Sequence, residues 1–315
     1  MRAILFDGQL QFTNSAVLRD PRPGEIRVDV TCAGICETDL QLCRGYMGFR
    51  GILGHEFVGV ARDGRYAGRR VVGEINCACD VCDYCRTGLK NHCPHRTVIG
   101  ILNHDGAFAE TVIVPEANLY PVPDHVTDDE AVFVEPVAAA CRIGEQISLR
   151  SGPQVTVLGD GRLGNLCAQV LRHQGCRVRV VGKHEEKLSL LKTLGIATVL
   201  LKDLQPERCD TLVVDCTGSP SGLDTALQIV RPGGTVVLKT TVAAHQSLHM
   251  APFVIDEISL IGSRCGPFDK AIELLAQGVV QVKPLIKARF PLEQATEAFE
   301  HAVRKDCLKV LFDFR

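Results

Sequence analysis

Four cysteines in one short loop, Cys79-x2-Cys82-x2-Cys85-x7-Cys93, have the types and spacing of a metal site. Four thiolates favour zinc, held tetrahedrally with no open position. Such a site anchors a fold and takes no substrate. Tight CxxCxxC runs also hold iron–sulfur clusters, and Pro94 after Cys93 keeps that alternative open. Cys77 is a nearby extra thiol that the loop does not need.

A second set of ligand types is dispersed: Cys36, His55 beside Glu56, and Glu135. A soft thiolate, a neutral imidazole and a hard carboxylate, with one position left open, make the catalytic arrangement of zinc. The open position takes an alcohol or carbonyl oxygen. Zinc there lowers the alcohol pKa, so that hydride can be expelled near neutral pH. The Thr38 hydroxyl can pass the alcohol proton towards solvent. Asp39 can accept from the far nitrogen of His55 and fix its tautomer. A turn threonine and a capping aspartate are the plain alternatives for these two.

The third constellation is Gly159-x-Gly161-x-x-Gly164. It follows a strand-like run, Val155 to Leu158, and opens a helical one through Arg162 and Leu163. In that context the glycines give a tight turn and a close approach of a pyrophosphate to a helix N-terminus. The next strand ends in Val181-Gly182-Lys183-His184. Folds that bind NAD usually place an acid there to grip the ribose hydroxyls. The sequence has none at that strand end. Gly182 leaves room, and Lys183 and His184, helped by Arg162, can meet a 2'-phosphate. The expected cofactor is therefore NADP, with NAD the alternative.

The elements that must position these residues fall into two patterns. Residues 1–138 hold short strand-like runs (Ile26 to Ala33, Phe57 to Ala61, Arg70 to Ile75, Thr111 to Val114) separated by glycine turns, which predicts a mostly β domain. From about Val137 the rhythm becomes strand–helix. Helices are expected at Leu163–His173, Glu185–Leu194, Gly222–Val230 and Lys270–Ala276. Strands are expected at Arg177–Val181, Leu212–Asp215, Thr235–Leu238 and Ile258–Gly262. That alternation predicts a doubly wound parallel sheet over 139–282. Residues 283–315 break the rhythm. A helix at Glu293–Val303 and a strand at Cys307–Phe314 predict a return to the first domain.

The 35 basic residues are balanced by 37 acidic ones with no basic block, which excludes a nucleic-acid surface. No apolar run is long enough to span a bilayer. The fifteen cysteines are odd in number and many sit singly in apolar segments, such as Cys141, Cys167, Cys176 and Cys216. They predict free thiols in a reducing cytoplasm. The N-terminus, MRAILFDGQL, reads as a strand and not as a signal peptide.

With GICETD at 34–39, GHEFVG at 54–59, CDVCDYCRTGLKNHC at 79–93, DGAFAE at 105–110, VEPVAAA at 134–140 and VLGDGRLG at 157–164, the chain resembles the zinc-containing medium-chain alcohol and polyol dehydrogenases over essentially its whole length. The resemblance implies a GroES-like distorted β-barrel followed by a Rossmann domain. It implies catalytic zinc on Cys36 and His55, and a proton-relaying hydroxyl at Thr38. An acid followed by proline at 135–136 is similar to the sorbitol, threonine and glucose dehydrogenase branches. There the glutamate after the histidine, here Glu56, either ligates the metal or exchanges with water, so the inner carboxylate is Glu56 or Glu135. Glu37 stands where liver-type enzymes have a pyrophosphate-binding arginine, and Gln41 where several relatives have a relay histidine. The implied activity is hydride transfer between NADP(H) and a secondary alcohol, polyol or sugar. Polar residues Glu37, Asn103, His104 and Asp105 favour a polyhydroxylated substrate. The implied assembly is a homodimer or homotetramer. The competing class is a zinc-stabilised interaction protein without catalysis, which needs the cysteine loop but neither an open metal site nor a nucleotide loop.

Overall fold

The strand Glu25–Gly34, EIRVDVTCAG, alternates half-buried and buried positions along its first seven residues and then buries three in succession. The alternation gives it one face against a core. The buried end lies between strands on both sides. Along one edge it pairs antiparallel with Glu56–Ala61. Along the other it pairs first with Thr111–Pro115 and then, from Cys32 to Gly34, with Lys309–Asp313. Arg70–Gly73 and Leu119–Pro121 extend the first edge, and Ile286–Pro291 extends the second, parallel to Lys309–Asp313.

The computed structural model describes residues 1–239 and 248–314, which divide into two compact units. The first comprises Met1–Glu135, Ala271–Ala276 and Val282–Arg315. Its core is sealed by fully buried Phe108 and Phe312, whose rings meet edge to face at 5.0 Å, with Phe299 against both. Edge-to-face packing suits the ring quadrupoles. The last strand of the chain is thus part of the core formed by its first hundred residues.

The second unit carries a six-stranded parallel sheet. Its order is Ala197–Leu200, Arg177–Gly182, Gln154–Leu158, Asp210–Asp215, Val230–Leu238, Ser259–Gly262. In chain order that is 3-2-1-4-5-6, the dinucleotide-binding arrangement of a doubly wound sheet. Buried Asp210 ties the central strands together, accepting from Thr156 Oγ1 and Arg179 Nη2, both at 2.8 Å.

The expected elements are present with boundaries shifted by a few residues, and of the strands not expected two lie at sheet edges. Ala197–Leu200 is a sheet edge of four residues, too short to show a period. Ile286–Pro291 alternates half-buried and exposed residues, carries Lys287 and Arg289 outward and ends in proline. Those are the marks of an edge strand, which reads as a loop when only the apolar positions are counted. Val230, expected to end a helix, instead begins the strand Val230–Leu238.

Candidate active site

Three neighbouring strands end at one place in the first unit. Cys36 follows the strand Glu25–Gly34 and is the N-cap of the helix Glu37–Cys43. His55 immediately precedes the strand Glu56–Ala61, and Glu56 pairs with Gly34 across the sheet. The ligand atoms of Cys36, His55 and Glu56 lie within 4.8 Å of one another. Donors around one tetrahedral zinc stand roughly 3–4 Å apart, so a thiolate, an imidazole and a carboxylate gathered this closely fit the ion. Glu135, half-buried in the first turn of the helix Val134–Gln146, does not belong to this group of three.

Asp39 organises the other two donors from behind. One carboxylate oxygen accepts the backbone N–H of Cys36 at 2.8 Å, and the other stands 3.3 Å from His55 Nδ1. Asp39 is wholly buried and His55 nearly so. Burial alone would lower the imidazole pKa, but the charges of Asp39 and Cys36 outweigh it and hold His55 well above its ordinary value. A cation is what these acceptors call for, and a metal on His55 competes with a proton there. The Thr38 hydroxyl is half-buried, 3.8 Å from Cys36 Sγ.

Lys309 was invisible in the sequence. It begins the strand Lys309–Asp313, is buried to 1% exposure, and forms an ion pair with Glu56 across 253 positions of chain. Its ammonium also donates to Ile35 O at 3.2 Å and sits 5.6 Å from the centre of the Phe133 ring. Burial pulls Lys309 down to about 8, against the opposing charges of Cys36, Asp39 and Cys32. The lysine reaches Glu56 only because residue 34 is glycine: a Cβ there would fall inside the Lys309 Cε and Nζ atoms. The available signal was a lone cation in the apolar run LKVLFDF, which a buried strand accepts only if the charge is paired.

The four-cysteine loop forms a separate cluster. Sulfur separations are 3.4 Å for Cys82–Cys85, 3.5 Å for Cys79–Cys93, 3.7 Å for Cys82–Cys93 and 4.0 Å for Cys79–Cys85. A tetrahedron with zinc–sulfur bonds near 2.3 Å has edges of about 3.8 Å, whereas a disulfide needs about 2.05 Å. The backbone N–H groups of Val81 and Cys82 hold the Cys79 thiol down to about 6. Cys77 lies outside the cluster, its sulfur against Ile75 O at 3.9 Å.

In the second unit, Gly159 turns the chain at φ +110°, and a Cβ there would come within 2.6 Å of Cys216 O. Gly161 caps the helix Arg162–His173 and faces open space, which suits the approach of a phosphate. Gly164 packs directly on Gly159 O. Half-buried Arg162 and Leu163 form the first helical positions. The strand Arg177–Gly182 ends with no acid of its own, as expected, but one reaches it from another segment. Asp160, from inside the glycine loop, accepts the backbone N–H groups of Lys183 and His184, both at 2.6 Å, and meets His184 Nδ1 at 3.1 Å. The Lys183 side chain is exposed. The polar residues expected to favour a polyol also have local partners: Asp105 accepts from Ile52 N, Glu37 from Gln41 Nε2, and His104 Nδ1 meets Asp105 O.

With this geometry in view, comparison with known proteins is decisive. Residues 22–124 match the alcohol dehydrogenase GroES-like domain and residues 163–277 the zinc-binding dehydrogenase domain. The chain belongs to the zinc-containing medium-chain alcohol and polyol dehydrogenases. It is 27% identical to sorbitol dehydrogenase of Bacillus subtilis over 317 residues, covering 91% of this chain and 89% of the relative. An Escherichia coli CFT073 alcohol dehydrogenase crystallised with NADH superposes with a TM-score of 0.90 at 27% identity, covering 100% of this chain and 99% of that one. A zinc-binding dehydrogenase of Sinorhizobium meliloti 1021 bound to NADP gives 0.89 at 26% identity, covering 99% and 98%. The chain is thus an oxidoreductase acting on alcohols.

The buried pair yields a direct expectation. Lys309→Met strands the Glu56 carboxylate and should cost about 3–5 kcal/mol in urea unfolding. The double variant Glu56→Gln/Lys309→Met should recover most of that loss. A single variant as stable as wild type would show that the pair carries no strain when broken.

Proposed function

We propose that this dehydrogenase moves hydride between a nicotinamide dinucleotide and a secondary alcohol, polyol or sugar, with zinc held by Cys36, His55 and the Glu56 carboxylate. The gathering of these three unlike donors at converging strand ends carries the reading. Glu135 is the second candidate carboxylate, since an acid at that position is shared with the resembled polyol branches. Zinc supplies Lewis acidity, lowering the pKa of the substrate hydroxyl and polarising the carbonyl in the reverse direction. Asp39 orients the imidazole and the Cys36 backbone, Thr38 carries the hydroxyl proton away, and Gly159, Gly161 and Gly164 admit the dinucleotide pyrophosphate. Sorbitol dehydrogenase among the relatives supports a polyol. NADP remains the reading of Gly182, Lys183, His184 and Arg162 taken alone, and Asp160 weighs against it.

Cys79, Cys82, Cys85 and Cys93 hold a second, structural zinc in this account. Metal analysis should find about two zinc ions per chain. Cys36→Ser should remove one ion together with turnover. Cys82→Ser should remove the other and lower the melting temperature, because structural metal binding contributes folding free energy. Normal turnover with full metal in Cys36→Ser would exclude that residue as a ligand. Thr38→Val should lower kcat by about 100-fold while leaving dinucleotide binding unchanged, in line with loss of a positioned proton carrier. An unchanged kcat would end its role in the relay.

All fifteen cysteines are free thiols, and no helix among the described residues is long and apolar enough to cross a membrane. Free thiols support placement in a reducing cytoplasm. A homodimer or homotetramer is proposed from the sheet edge Ser259–Gly262. Among the described residues it pairs only with Val230–Leu238, and it exposes Leu260. Beside it in sequence, Val254 and Ile255 are 76% and 78% exposed. An open strand edge beside apolar side chains is normally covered. Sedimentation velocity should give at least twice the chain mass, and Leu260→Lys should reduce it. A wild-type monomer at micromolar concentration would contradict this.

A further inference from the structure

We infer that Asp160 selects NAD over NADP by supplying, from inside the glycine loop, the carboxylate that the end of the second strand lacks. The inference rests on the dinucleotide reading above. The place where a side chain at residue 182 would begin is already filled: a Cβ on Gly182 would stand 2.5 Å from both Cβ and Oδ2 of Asp160. The glycine is therefore no vacancy for a phosphate. It is the room the Asp160 side chain needs.

The hydrogen bonds point the same way. Asp160 is 8% exposed, and its Oδ2 accepts the backbone N–H groups of Lys183 and His184. Those two donors are the ones a 2'-phosphate at this strand end would use. They are already engaged by an oxygen that carries negative charge. A 2'-phosphate would lose both donors and meet a like charge. Ribose hydroxyls carry no charge and can donate. An ionised carboxylate offers about four acceptor positions, and with two taken on Oδ2 and His184 Nδ1 at 3.1 Å, Oδ1 keeps capacity for a hydroxyl. Charge-assisted hydrogen bonds of this kind are among the stronger ones. Lys183 is exposed and His184 is turned to Asp160, so neither side chain restores the balance for a phosphate.

Titration of zinc-loaded protein with NADH and with NADPH, followed by nicotinamide fluorescence, tests this without turnover. Wild type should bind NADH at least about tenfold more tightly than NADPH. Asp160→Ala should weaken NADH and strengthen NADPH, moving the ratio by about tenfold or more. Asp160→Asn, which keeps the size but not the charge, should move it in the same direction. Asp160→Gly/Gly182→Asp returns a carboxylate from the strand end and should restore NADH preference, which a merely misfolded loop would not do. Tighter NADPH binding by wild type, or a ratio unchanged in both Asp160→Ala and Asp160→Asn, overturns the inference and leaves the dehydrogenase reading intact. Binding of neither nucleotide by wild type overturns both.

Discussion

The first unit is built around one buried ion pair. Glu56 and Lys309 are both withdrawn from water, and each is tolerable only while the other is present. That requirement joins the start of one strand to the start of another across most of the chain. Gly34 is fixed by it, since the lysine passes through the space a side chain would take. Cys36 is placed by it as well: Ile35 donates to Val310 O at 3.0 Å and accepts from the Lys309 ammonium at 3.2 Å, so the turn presenting the thiolate is clamped on both sides. The Glu56 carboxylate, proposed above as a zinc ligand, is thereby held by a counter-charge from the C-terminal strand.

The two clusters of metal-ligand types differ in how they are assembled. Four like donors in a loop of fifteen positions, 79 to 93, need no other part of the fold to meet, and their spacing is legible in sequence. Three unlike donors contributed by separate strand ends need the sheet. The motifs around Cys36, His55 and Glu56 announced the residues, but their meeting follows from the register of Gly34 with Glu56. Glu135 was an equal candidate on residue type, and only geometry separates it from the group.

The parallel sheet and its glycine loop were readable because βα alternation and GxGxxG are local patterns. What escaped was long-range or indirect. Lys309 has no motif; its significance appears only when its strand is found beside Gly34. Asp160 lay in plain view within VLGDGRLG, but its approach to the end of the next strand is a contact in space that the local sequence does not show. Where a carboxylate arrives in space is set by the fold, and two different backbone positions can deliver one to the same place. Edge strands were missed for a related reason: with one neighbour they need little burial, so apolar period carries less of their signal.

A mixed-donor metal centre on Cys36, His55 and a carboxylate, apart from the four-thiolate loop, would have its own scattering signature. X-ray absorption at the zinc edge of fully loaded protein tests it most directly. Sulfur scattering at about 2.3 Å is expected together with nitrogen or oxygen scattering at about 2.0–2.1 Å. A spectrum described by sulfur alone would contradict it.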